Sequence, residues 1–282
     1  MRIYNISGRA CLGTGSGAVD IEIASSGAFS ADVQSLYSRW DEFTTWAADF
    51  DGASTVAIEE SELASPVPLP PQIFAIGLNY RDHAVESGLD IPEIPVVFAK
   101  FPASVAGPYD RILLPPGAVD FETELVVVIG KPSQGVRAAD AWSHVAGLTV
   151  GQDLSERHAQ WAGTPPQQFS LAKSFPGFSP IGPVLVTPDE FENPDDLQLG
   201  CSINGVEMQK SRTSDMLFTI PEVIEYLSRI VPLLPGDAIF TGTPAGVGFS
   251  RDPKVLLGQG DTLATYVEGI GEMRHTFGLQ GE

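Results

Sequence analysis

From Gln72 onward the chain is a succession of short β-branched and aromatic runs, each closed within a few residues by Gly, Pro, Asn or Asp. No other feature constrains the fold as much. The runs predicted as strands are Ile73–Ile76, Val96–Phe98, Leu125–Ile129, Pro183–Val186, Gln198–Ile203, Ala238–Phe240, Thr262–Val267 and Met273–Phe277. Branched and aromatic side chains fit a pleated surface, whereas glycine and proline interrupt it. Few helices intervene; the clearest is predicted from about Pro221 through Val223, Ile224, Leu227 and Ile230, ahead of a turn at Pro235-Gly236-Asp237. Strands this numerous without regular strand–helix alternation argue against a doubly wound sheet. They predict an α+β, β-rich fold with a mixed β-roll or barrel-like core.

Upstream, β-type stretches at Arg2–Ile6 and Val19–Ile23 precede a helical pattern in which Val33, Leu36, Tyr37, Trp40, Phe43, Ala47 and Phe50 recur at i, i+3, i+4 spacing, with Ser30 as its expected N-cap. The segment Ser65-Pro66-Val67-Pro68-Leu69-Pro70-Pro71 is too proline-rich for regular structure. The expected organisation is a small α/β domain over residues 1–65, a linker over 66–72 and a catalytic domain over 73–282.

With 282 residues, 43% of them hydrophobic, the chain can bury a substantial core. Its 36 acidic against 16 basic residues give a formal charge of −20, which repels nucleic acid and anionic membrane surfaces. No stretch approaches the ~20 apolar residues of a membrane span, and Met1–Ser7 lacks a signal-peptide hydrophobic run, so the chain is expected to be cytoplasmic. Cys11 and Cys201 form no CxxC pair, which suits a reducing compartment.

In Asp120-Phe121-Glu122-Thr123-Glu124-Leu125-Val126-Val127-Val128-Ile129, the β-branched run demands a strand. The two-residue period then places Glu122 and Glu124 on one face, with Cα atoms ~7 Å apart. Carboxylates so placed suit a hard divalent cation such as Mg²⁺ or Mn²⁺; a solvated strand face is the alternative. Asp153 follows the apolar run Val145–Val150 and is either a third oxygen ligand or the cap of a helix from Ser155. Between Gly77 and Gly88, a helical turn would set His83 and Glu86 at i, i+3, either as a base with its orienting carboxylate or as a solvated pair. Lys173, in the small and apolar stretch Ser170–Gly177, is expected to be buried against a substrate oxyanion or in a structural salt bridge. The loop Phe240–Gly248 offers backbone N–H groups and the Thr243 hydroxyl to an anion, but matches no phosphate-loop or dinucleotide pattern. His144, His158 and His275 carry no assigned role, and no GxSxG or Cys-His arrangement supports acyl-enzyme chemistry.

Taken in order, Ile76-Gly77-Leu78-Asn79-Tyr80 with Asp82-His83, Asp120–Leu125, Ala172-Lys173-Ser174-Phe175 and Thr241–Gly248 resemble the fumarylacetoacetate hydrolase family over about residues 72 to 280. The resemblance implies a β-roll core, usually dimeric, with Mg²⁺ or Mn²⁺ held by Glu122, Glu124 and Asp153. It further implies a lid carrying the His83–Glu86 dyad, with substrate contacts from Gln160, Lys173, Thr243 and Arg81. The chain departs from the family at Gln152-Asp153-Leu154-Ser155-Glu156-Arg157-His158, which keeps the aspartate and loosens the neighbouring contacts.

The expected reaction is metal-dependent hydrolysis of a carbon–carbon bond in a small 1,3-diketo acid, an acylpyruvate or a fumarylacetoacetate-like compound, with Lys173 steadying the oxyanion. Oxaloacetate decarboxylation and keto–enol isomerisation are alternatives on the same scaffold, and a non-catalytic keto-acid-binding protein is an alternative of another class. A glycosidase-type carboxylate pair fits poorly, because such pairs flank the scissile bond from opposite sides.

Overall fold

Each run predicted from Ile73 onward lies within a strand of the computed structural model, which describes residues 1–15, 17–163 and 167–281. The strands of three or more residues are β1 (Arg2–Ile6), β2 (Arg9–Thr14), β3 (Gly17–Asp20), β4 (Ile73–Gly77), β5 (Val96–Ala99), β6 (Arg111–Leu114), β7 (Thr123–Ile129), β8 (Val145–Gln152), β9 (Ser179–Val186), β10 (Gln198–Ile203), β11 (Val206–Arg212), β12 (Ala238–Phe240), β13 (Thr262–Val267) and β14 (Gly271–Leu279). They form two open sheets. The larger is ordered β3-β2-β1-β9-β8-β7-β12-β4-β5 and the smaller β11-β10-β13-β14-β6. Most neighbours are antiparallel; β12 with β4 and β14 with β6 are parallel. The fold is therefore the mixed, strand-rich class expected from the pattern, with open sheets.

Every residue of β7 is buried, which accounts for an uninterrupted apolar run where a half-exposed strand would alternate. Leu125, Val127 and Ile129 pack with Leu199, Val267 and Met273 of the smaller sheet and with Val223, Ile224 and Leu227 of a helix over Ile220–Ile230. Val128 turns to the other side, toward the N-terminal segment. That helix begins at the expected place: Thr219 and Glu222 form a capping box, and Pro221 lies in the first turn.

The N-terminal helices are α1 (Ile21–Ala24), α2 (Val33–Tyr37) and α3 (Trp40–Ala48), and three local expectations there are corrected. The stretch Val19–Ile23 is not one strand: β3 stops at Asp20, whose carboxylate accepts from the Ile23 N–H at 3.0 Å and starts α1. The helical pattern from Val33 to Phe50 is broken between Tyr37 and Trp40. Its cap is Asp32, accepting from Gln34 N–H at 3.1 Å, whereas the Ser30 hydroxyl accepts from Asp32 N–H in the approach to it.

Val33, Leu36, Tyr37, Trp40 and Phe43 share a core with Val128, Ala146 and Leu185. β1 pairs with β9, Arg2 opposite Val186. Sheet and core are thus shared across the proline-rich strap at 66–72.

His275, on β14, is fully buried; its Nε2 donates to the Gly107 carbonyl at 3.0 Å and its Nδ1 has no partner among the described residues. Burial pushes the imidazole down from 6.5 to about 4. A folded-state value below the unfolded one means that the unfolded chain binds the extra proton. The stability this group contributes is therefore complete above 6.5 and lost as pH falls toward 4. Between pH 7.5 and 4.5 the wild type should lose roughly 2 to 3 kcal/mol relative to His275→Leu, read from urea unfolding of both proteins. A constant difference between the two would remove His275 as the acid-sensitive group.

Candidate active site

Where β7 and β8 run side by side, their ends bring together Glu122, Glu124 and Asp153. All three are buried, with carboxylate oxygens within 4.8 Å of one another. One detail differs from the expected strand face. Glu122 lies one residue ahead of β7, where its N–H donates to Gln152 Oε1 at 2.9 Å and its carbonyl accepts from Asp153 N–H at 2.9 Å. The second bond ties Asp153 to Glu122. Asp153 caps no helix, because Ser155–Glu156 is a short strand and Glu156 caps the next helix, α5 in chain order after α4 (Arg81–Glu86), over Arg157–Gln160.

Three buried cations surround the cluster. Lys173 Nζ reaches Glu122 Oε2 at 2.6 Å and Asp153 Oδ2 at 2.7 Å. Arg157 grips Asp120 through Nε and Nη2 at 2.9 and 2.7 Å, and its Nη2 also donates to Glu122 Oε1 at 2.6 Å. Lys100 bonds Asp153 and the Lys173 carbonyl.

Burial alone would raise Glu122, but Lys173, Arg157 and His83 outweigh it and hold its carboxyl below the ordinary range. Glu124 goes the other way: burial first, then the negative charges of Asp153 and Glu122, raise it well above 4.5. Its one hydrogen-bond donor among the described residues is Gly242 N–H, at 2.7 Å, and no lysine or arginine pairs with it. Four buried carboxylates, counting Asp120, thus face three buried cations, and the unmatched one is Glu124. An all-oxygen donor set with an uncompensated negative charge fits a hard divalent cation.

His83 and Glu86 come together. On α4, His83 Nδ1 lies 2.8 Å from Glu86 Oε1, leaving Nε2 as the ring nitrogen able to meet a ligand. The other Glu86 oxygen accepts from Gly246 N–H at 2.9 Å.

The loop Thr241–Gly248 does bind anions through its amides, but they are the protein's own carboxylates: Gly242 N–H on Glu124, Gly246 on Glu86 and Gly248 on Asp120 at 2.8 Å. A side chain at Gly242, where φ is +103°, would put its Cβ 2.6 Å from that of Asn79. The Thr243 hydroxyl accepts from Gln209 Nε2 at 2.8 Å.

One cavity of about 310 Å³ joins these parts. Glu122, Glu124, Asp153, His83, Glu86, Gln160, Lys173 and Thr243 all line it. Arg81 does not; it is exposed on the outer side of α4, beside Tyr80, Asp82 and Lys210. The Gln160 side-chain Oε1 accepts from Arg157 Nη1 at 2.7 Å. Sequence reasoning missed Lys100, Arg157 and Asp120. Lys100 gave the signal already used for Lys173, a lone cation closing an apolar run.

The fumarylacetoacetate hydrolase C-terminal family model matches residues 72–278. The chain belongs to that family. It is 44% identical over 214 residues to the mitochondrial oxaloacetate tautomerase FAHD2A of Bos taurus, covering 75% of this chain and 68% of the relative. A Mycobacterium smegmatis crystal structure assigned to HpcE superposes with a TM-score of 0.95 at 52% identity, covering 99% of this chain and all of that one. Maleylpyruvate hydrolase from Sphingobium sp. SYK-6, solved with manganese(II) and pyruvate, superposes with a TM-score of 0.81 at 27% identity over the full length of both chains. The family's members are enzymes, and the tautomerase and the maleylpyruvate hydrolase act on small keto acids.

Proposed function

We propose that the chain is a metal-dependent hydrolase of a small 1,3-diketo acid of the acylpyruvate type, with Mg²⁺ or Mn²⁺ held by Glu122, Glu124 and Asp153. The observation that carries this reading is the His83–Glu86 dyad opening into the same cavity as the three carboxylates. When bound, the cation supplies Lewis-acid polarisation of the keto-acid oxygens.

The chain's own residues do the rest. Glu86, held by Gly246 N–H, fixes the His83 ring and stabilises its protonated form. His83 Nε2 takes a proton from water, which attacks the carbonyl distal to the carboxylate. Lys173, whose ammonium is kept charged by Asp153 and Glu122 despite burial, steadies the oxyanion. The carbon–carbon bond then breaks, the acyl group leaves as a carboxylic acid, and His83 returns the proton to the carbon of the departing pyruvate. Gln160 and Thr243 act as substrate contacts in this reading.

Keto–enol tautomerisation of oxaloacetate is the second reading, favoured by the oxaloacetate tautomerases at 42–44% identity. The same dyad would move a proton between carbon and oxygen without water. Pyruvate release from acetylpyruvate and the ultraviolet decay of enol-oxaloacetate, each with added Mn²⁺ and with EDTA, separate the two. Metal-dependent pyruvate release is expected. Decay of the enol without any cleavage of acetylpyruvate would replace hydrolysis by tautomerisation.

No helix among the described residues is long and apolar enough to cross a membrane. Cys11 and Cys201 are free and buried, which suits a reducing compartment, the cytoplasm or, as for the bovine relative, a mitochondrial one. The edge strand β5 and its approach expose Ile94, Val96, Val97 and Phe101, and to this face we assign the homodimer contact.

A further inference from the structure

We propose that the outer part of this cavity selects an uncharged, apolar acyl arm over an arm ending in a second carboxylate. The inference rests on the keto-acid reading and adds the chemical class of the substrate's variable end. From the carboxylate floor to the mouth runs a line of aromatic rings. Lys173 Nζ stands 5.3 Å from the ring centre of Phe98, Phe98 lies 5.9 Å from Phe169, and Phe169 lies 6.5 Å from Trp161, which is 43% exposed. Leu89 and Phe249 line the same cavity. A keto-acid head at the floor therefore sends its arm along apolar surface.

Among the described residues that line the cavity, each basic side chain already has an acidic partner. Of the basic residues lining the cavity, Arg157 is committed to Asp120, Glu122 and Gln160, Lys173 to Glu122 and Asp153, and His83 to Glu86. The other ionisable residues in the lining, Glu86, Glu122, Glu124 and Asp153, are all acidic. A second carboxylate would lose water against rings, with no unpartnered cation in the lining to receive it. Just outside the lining, the Lys254 ammonium lies 3.4 Å from the centre of the Phe249 ring.

The test is calorimetric binding in the presence of Mn²⁺, which is independent of turnover. The probes are 2-oxobutanoate, 2-oxohexanoate, 2-oxooctanoate and the diacid of equal length, 2-oxosuberate. Affinity should rise by roughly fourfold per methylene along the monoacids while the arm stays in contact with the wall. The diacid should bind at least about tenfold more weakly than 2-oxooctanoate, the loss expected of one desolvated unpaired carboxylate. Trp161→Arg, a change at a half-exposed position, should shrink or reverse that penalty. Equal or tighter binding of the diacid by the wild type overturns the inference, and loss of that advantage in Lys254→Ala would then name the ammonium responsible. Binding of every keto acid with no dependence on the arm overturns the inference alone. Binding of none takes down the keto-acid reading and the inference together.

Discussion

Glu124→Gln should abolish tight metal binding and at the same time make the metal-free protein more stable than the wild type. Both effects come from one geometry. Glu124 is buried beside Asp153 and Glu122 and pairs with no lysine or arginine. Its folded-state pKa lies above the unfolded 4.5, so the folded protein holds the proton more tightly than the unfolded chain does. Stability then falls as pH rises from 4.5 through the folded value. Glutamine has no proton to lose, keeps the shape, and still offers an oxygen to Gly242 N–H. Its advantage in the metal-free state should therefore grow with pH.

The cation reverses the order. Metal at 100 times its dissociation constant should stabilise the wild type by about 2.7 kcal/mol and the variant by almost nothing. Loss of a direct ligand should weaken affinity by more than the roughly 100-fold upper end seen for outer-shell partners. Thermal unfolding with EDTA and with excess Mn²⁺, run on both proteins, reads both signs in one experiment. A variant that is less stable without metal would mean that Glu124 is held by something other than cation demand. An undiminished Mn²⁺ shift would remove it from the ligand set.

How much of this could be read from the sequence follows the range of the interactions. Glu122 and Glu124 converge because they are two residues apart at the head of a strand, and His83 meets Glu86 because they are three apart on one helical turn. Both are local geometry that a period announces. The β-branched run Leu125–Ile129 announced a strand, though not that every residue of it is buried. The charges around the cluster were not legible, since the Lys100 ammonium meets Asp153 across 53 positions and Arg157 meets Asp120 across 37. Spacing says nothing about such pairs.

The loop Thr241–Gly248 was legible as an anion binder but not as to its anion, because Glu124, Glu86 and Asp120 reach it from three separate segments. Arg81 shows the limit of transfer by motif. It is two residues from His83, yet the helical turn that points His83 into the cavity turns Arg81 out to solvent. Pairing of β1 with β9, between residues more than 180 positions apart, lay equally beyond reach of local pattern.

His83→Ala should lower kcat for acetylpyruvate cleavage by about 10²- to 10⁴-fold, the range for a lost general base, while the dissociation constant for Mn²⁺ changes little. The separation is expected because His83 lines the cavity without belonging to the carboxylate cluster. It shares no hydrogen bond with Glu122, Glu124 or Asp153, and its Nδ1 is spent on Glu86. Its influence on the cluster is a charge felt by Glu122, behind those of Lys173 and Arg157. Glu86→Gln should cost less than His83→Ala, since the amide oxygen can still accept from the ring while the negative charge that stabilises the imidazolium is gone. Steady-state kinetics of the three proteins, with Mn²⁺ affinity measured on each, decide the roles. A full-speed His83→Ala enzyme would mean that water is activated elsewhere. Collapse of Mn²⁺ affinity in that variant would mean that the imidazole supports the carboxylates. Loss of kcat alone, larger for His83 than for Glu86, is what a base and its orienting partner require.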